Sequence, residues 1–239
     1  MCIEVISLFR RTLRRVIPAY ASFPLLLTGL MNLFAYQGAK LVQLIFSSQE
    51  MLDMTTALDR RFPFAPVWVL AYVGTFVFWF YQYTTVARES PEKACRLAAA
   101  DAVAKLICLF FFIFVPTTNV RPTVEGSGFV PWLMRLIYWF DTPTNLFPSI
   151  HCFVAWLGTR FMYECRLPKH RALTNVLCTV GSLLVFLSTL FTKQHVLWDV
   201  VSGVAVAEIG YWLSRLKPLT ALVAKLNERF MKTRLAKIL

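Results

Sequence analysis

Six apolar runs constrain this chain more than any other feature. A helix needs about 20 apolar residues to cross the hydrocarbon layer of a bilayer. Candidate runs of that kind fall at roughly 18–36, 64–84, 97–115, 148–163, 172–191 and 196–214. The first is interrupted by Pro24 and Gly29, and the fourth is short and carries His151 and Arg160. The chain is 57% hydrophobic and only 16% charged, with a mean hydropathy of +0.57. A soluble domain is nearer a quarter charged. The expected class is therefore all-α, a polytopic membrane protein rather than a soluble one.

Basic residues orient the spans. With the amino terminus cytoplasmic, most of the 25 Lys and Arg fall on inner segments; Lys40, Arg60, Arg61, Arg121, Arg135 and Lys193 face outward, and Lys105 and Arg160 lie within spans. Basic residues mark the cytoplasmic side, so the pattern predicts six transmembrane helices with both termini cytoplasmic. One membrane domain accounts for residues 1–239, with a six-helix core at 18–214 and a basic cytoplasmic tail at 215–239. The expected location is the cell (plasma) membrane. Arg10, Arg11, Arg14 and Arg15 form a basic, amphipathic lead-in to a retained anchor. The net charge of +12 does not point to nucleic acid, because the cations sit at the ends of apolar runs rather than among stacking aromatics. Basic and apolar residues alternate at helical spacing over 217–239, which suits a helix on the anionic inner leaflet. Phe129–Phe140, rich in Trp and Tyr, reads as a short interfacial helix.

The six cysteines include no CxxC pair and read as small apolar packers. Neither a structural disulfide nor a zinc site is expected.

Two of the three histidines end long apolar runs. A titratable group there is costly to bury and marks a candidate functional site. His195 and Asp199 are four apart and share a helical face. A carboxylate on one ring nitrogen fixes the tautomer and leaves the other a better nucleophile. His151 enters a helix just after Pro148 and Ser149, where Ser149 can cap and free amides attract anions. A histidine beside them can protonate a leaving oxygen. Arg121 and Lys193 are candidate phosphate-binding cations. Asp141 and Asn145 either shape their loop through turn chemistry or touch a substrate headgroup. Each residue alone has a structural alternative: a satisfied His–Asp pair, a core histidine, a snorkelling cation. Their coincidence at the outer ends of helices three to six points to one site. Asp101 and Lys105, at the inner half of helix three, read as an intramembrane ion pair. Glu208 has Arg160 and Lys105 as possible partners, and nothing in the sequence chooses between them.

These residues resemble the type 2 phosphatidic acid phosphatase superfamily of membrane lipid phosphatases and phosphotransferases. The family's second motif, Pro-Ser-Gly-His, stands here as Pro148-Ser149-Ile150-His151. The third, Ser-Arg followed by His and Asp, stands as Ser188-Thr189, His195 and Asp199. The first survives as Arg121-Pro122, with Phe114 where its Lys would fall. Thr189 replaces the Arg of the third motif and Ile150 the Gly of the second. The resemblance implies a metal-independent phosphoric ester hydrolase without cofactor, acting on a phosphomonoester or diphosphate lipid at the extracytoplasmic face through a phosphohistidine. His195 would be nucleophile, Asp199 its orienting carboxylate and His151 the acid. Arg121 and Ser149 would bind phosphate, with Lys193 a candidate replacement for a missing cation. The segments Asp141–His151 and Thr192–His195 look closer to the branch containing inositol phosphorylceramide synthases, which implies a phosphotransferase as the alternative. A transporter or scaffold with a vestigial site is the non-enzymatic alternative. The expected partners are a lipid phosphate substrate and membrane lipids, and no nucleic acid.

Overall fold

The computed structural model describes residues 14, 16–45 and 50–233. The lead-in arginines Arg10, Arg11 and Arg15, and the last basic residues Arg234 and Lys237, lie outside the described residues. The architecture is all-helical. Its α-helices are α1 (Ala19–Ile45), α2 (Val69–Glu89), α3 (Pro91–Phe114), α4 (Phe129–Phe140), α5 (Ile150–Glu164), α6 (Arg171–Phe191), α7 (Leu197–Leu213) and α8 (Lys217–Met231). Two short strands, β1 (Leu52–Asp53) and β2 (Thr117–Thr118), pair in parallel and tie the loop after α1 to the loop after α3. Helices α1, α3 and α6 are each long and apolar enough to cross a membrane, and the chain is a membrane protein on that ground.

Helix α1 runs on to Ile45 through Pro24, well past the expected end at Tyr36. Helix α3 starts cleanly because Ser90 accepts from the Lys93 amide and Pro91 occupies the first turn. Helix α5 is the centre of the bundle, packed by α2, α3, α6 and α7. Phe153, Leu157 and Phe161 on α5 are fully buried and join Phe112, Val206 and Tyr211 in the main core. At only 15 residues α5 is shorter than a bilayer-crossing helix. Enclosure by its neighbours lets it stay so, since little of its surface would need to meet lipid.

Small residues let α7 approach closely. A Cβ on Gly203 would stand 2.7 Å from the Ser149 carbonyl oxygen of the α5 entry, and one on Gly210 would stand 2.6 Å from the Ala100 carbonyl oxygen of α3. This is the packing expected where helix backbones meet without large side chains between them.

Two ion pairs lie between residues of the apolar helices. Lys105 lies 2.7 Å from the Asp101 carboxylate and donates to the Thr28 carbonyl, which fastens α1 to α3. Glu208 on α7 pairs with Arg160 on α5 at 2.8 Å and accepts from the Trp156 indole. That settles which of the two cations faces it. The basic segment after residue 215 forms α8, which docks on the bundle. Val223 packs with Cys95, Ala98 and Ala99, and Asn227 donates to the Tyr20 carbonyl at 3.0 Å.

Candidate active site

Helix α6 ends at Phe191, and the chain reverses through Thr192, Lys193 and Gln194. Lys193 takes a left-handed backbone with φ 54°. That turn lets the amides of Gln194 and His195 both donate to the Thr189 carbonyl, at 2.9 and 3.1 Å. His195 is thereby fixed just before α7. Its Nδ1 lies 3.2 Å from Asp199 Oδ2, and the same carboxylate oxygen accepts from the Val196 amide at 2.9 Å. Asp199 thus orients the imidazole and closes the first turn of α7. Asp59, which was not singled out from the sequence, caps α7 from another segment by accepting from the Leu197 amide at 2.7 Å.

His151 sits in the first turn of α5. Ser149 is its N-cap, accepting from the Cys152 amide at 3.3 Å, and the Ser149 amide donates to the Asp199 carbonyl at 3.1 Å. The two helix entries that carry the histidines are therefore bonded to each other. The imidazole rings of His151 and His195 are 5.6 Å apart between centroids. His151 also packs against Tyr72 at 4.7 Å and Trp79 at 5.4 Å.

Both histidines line one cavity of about 280 Å³, together with Asp141, Asn145 and a wall of aromatic rings. Asp141 is gripped by Tyr36 and Tyr72, whose hydroxyls donate to its two carboxylate oxygens at 3.1 and 2.9 Å. Burial pushes the Asp141 carboxyl up, but the positive charge of His151 and Arg121 and the Tyr72 hydrogen bond outweigh it and hold it below the ordinary value. Asn145 has φ 60° and accepts from the Gln43 side chain of α1, which also donates to the Phe112 carbonyl.

Arg121 stands behind Asp141. Its Nη1 donates to the Asp141 carbonyl, and its guanidinium lies 4.9 Å from the Tyr138 ring centre. Burial pulls its basicity below that of a free arginine, with Asp141 opposing. Arg121 Nε and Nη2, Asn145 Nδ2 and Trp79 Nε1 are buried donors without a protein partner. Buried polar groups in native structures are nearly always satisfied; of these donors, those of Asn145 and Trp79 belong to residues that line the cavity of the two histidines, and Arg121 lies outside that lining.

The other expected binding residues lie elsewhere. Lys193 donates through Nζ to the carbonyls of Asp59 and Phe62, at 2.9 and 2.6 Å. It lines a second cavity of about 570 Å³, whose walls include Asp59, Arg60 and Asn119 and which His195 also borders. Burial lowers the Lys193 basicity. Ser149 is fully buried as a helix cap and lines neither cavity. Thr189 is buried and turned back on the Phe186 carbonyl at 2.8 Å, beside Cys152. Among the described residues, no group of three or more His, Cys, Asp or Glu is gathered as a metal centre would need.

Comparison with protein-family models, with curated proteins and with solved structures returns no match for this chain.

Proposed function

We propose that this protein cleaves a lipid phosphate ester at the membrane through a phosphohistidine intermediate, with water as the acceptor. The observation that carries this reading is the opposition of His151 to the His195–Asp199 pair across one cavity bordered by unpaired donors.

The chemistry follows from the geometry. Asp199 occupies Nδ1 of His195 and leaves the Nε2 lone pair for attack on phosphorus. As the N–P bond forms, the P–O bond to the lipid alcohol breaks, and His151 gives its proton to the departing oxygen. In the second step His151 takes a proton from water, the water oxygen bonds to phosphorus, and the P–N bond breaks. The free amide and indole N–H groups of Asn145 and Trp79 stabilise the charge spread over the phosphoryl oxygens, with the Arg121 guanidinium adding its positive charge from behind Asp141.

The proposed membrane placement uses six spans, α1, α2, α3, α5, α6 and α7, with both ends cytoplasmic. The inner-segment excess of Lys and Arg supports it. The two histidines then open to the extracytoplasmic side of the plasma membrane, and α4 rests at the headgroup level beside them.

A phosphotransferase is the second reading. The second cavity against His195, which has Asp59, Arg60 and Asn119 among its mixed walls, gives an acceptor alcohol somewhere to bind. Purified protein incubated with a panel of lipid phosphates, with EDTA present, tests both. Ester cleavage that requires His195 and yields the same products with or without added polyol supports the hydrolase. Products that contain the polyol favour the transferase, and no turnover on any lipid sinks both.

A further inference from the structure

The cavity that holds the histidines has an unexpected charge for a phosphate site. Its lining includes Tyr36, Tyr72, Phe76, Trp79 and Phe140, and no Lys or Arg. Its one carboxylate is Asp141. A phosphomonoester carries close to two negative charges near neutral pH, and a carboxylate facing it is repulsive. A ring-walled chamber with a single carboxylate suits a cation instead, because aromatic faces attract ammonium groups. The chamber is also small. At about 280 Å³ it falls just below the roughly 300–1,000 Å³ of sites for drug-sized ligands. It has room for a headgroup but not for two acyl chains.

We propose that the cavity recognises the quaternary ammonium of a choline-type headgroup, so that the lipid cleaved is a zwitterionic phosphodiester. The proposal rests on the ester-cleavage reading and specifies its substrate. A primary ammonium has three N–H donors to satisfy, whereas Asp141 already accepts from two tyrosine hydroxyls. A quaternary ammonium has none. Its charge meets Asp141 and the rings, while its single phosphate anion meets the unpaired donors of Asn145 and Trp79. With such a lipid, His195 bonds to phosphorus, the bond to the diacylglycerol oxygen breaks, and His151 protonates that oxygen. Phosphocholine remains on His195 until water takes it off.

The experiment has a binding arm and a turnover arm, both on the full chain in detergent. In calorimetric titration, phosphocholine binds at least about tenfold more tightly than glycerol 3-phosphate. Asp141→Asn removes that preference, and Phe76→Leu, which deletes a ring of the cavity lining without touching the carboxylate, weakens it. In turnover, phosphatidylcholine is cleaved faster than phosphatidylglycerol or phosphatidic acid. Equal binding of the two phosphates, or a preference that survives both substitutions, overturns the headgroup assignment. Cleavage of phosphatidic acid alone overturns it too and leaves ester cleavage standing. Selective phosphocholine binding without turnover of any lipid keeps the headgroup assignment and removes the ester-cleavage reading.

Discussion

His195 Nδ1 lies 3.2 Å from Asp199 Oδ2, and that oxygen also holds the Val196 amide. One carboxylate therefore sets both the imidazole and the helix that follows it. Asp199→Asn keeps an acceptor for the Val196 amide but loses the charge opposite the ring. The expected result is a folded protein whose kcat falls about 10²- to 10⁴-fold, the range seen when an orienting carboxylate is neutralised. Steady-state rates beside a thermal melt test it. A rate within threefold of the parent would remove Asp199 from the mechanism.

His151 is assigned to the leaving oxygen, so its loss should depend on the leaving group. His151→Gln lowers cleavage of a natural lipid ester by about 10²- to 10⁴-fold. An ester of p-nitrophenol, whose anion departs without a proton, loses much less in the first step. Burst measurements on the two substrates compare them directly. Equal losses on both would mean that His151 does not protonate the departing group.

Asp141 is outside the helices, and its carboxyl is held below the ordinary value of 3.8. Its ionised form therefore favours the folded state. That contribution is complete above about pH 4 and is lost as the pH falls through the lower folded value. Asp141→Asn should flatten the acid side of the stability profile, measured by melting in detergent between about pH 2 and pH 7. An unchanged acid slope would show that Tyr36 and Tyr72 grip the group without favouring its charge.

Gly203 lies where α7 meets the α5 entry, and a Cβ there would stand 2.7 Å from the Ser149 carbonyl and 3.0 Å from Cys152 Cβ. Gly203→Ala must push the two helices apart. The expected cost is about 1–3 kcal/mol of stability, with lower turnover because both histidines sit on the displaced entries. A parent-like melting temperature and rate would mean that the contact yields freely.

Much of the site was legible because spacing alone carries it. The spacing of His195 and Asp199 brings the two together, though not along one helical face as expected: His195 precedes the Val196 cap, and Asp199 in the first turn reaches back to it; Pro148-Ser149 announces a helix entry. The partners of Asp141 were not legible. Tyr36, Tyr72 and Trp79 look like ordinary packing on apolar helices, and only the folded chain brings them to the cavity. Gln43 had one faint signal, a position two helical turns after Tyr36 on the same face of α1. The extension of α1 to Ile45 was missed because hydropathy falls after Tyr36 while helical backbone continues. Glu208 had two candidate cations because a sequence does not state how α5, α3 and α7 are rotated about their axes. Lys193 fits a phosphate-binding cation in sequence, yet its ammonium is held by two backbone carbonyls. Nothing local foretells that, since Asp59 and Phe62 lie more than a hundred positions earlier.

The Ser149 amide on the Asp199 carbonyl is a small bond with a wide reach. It pins the entry of the helix that carries His151 to the first turn of the helix that follows His195 at their shared rim, so neither can drift without dragging the other. Lesions that loosen this rim should silence the first and second halves of a catalytic cycle in step. Second-site suppressors recovered from such lesions should then map to the seam between α5 and α7, away from the chamber that the two histidines line.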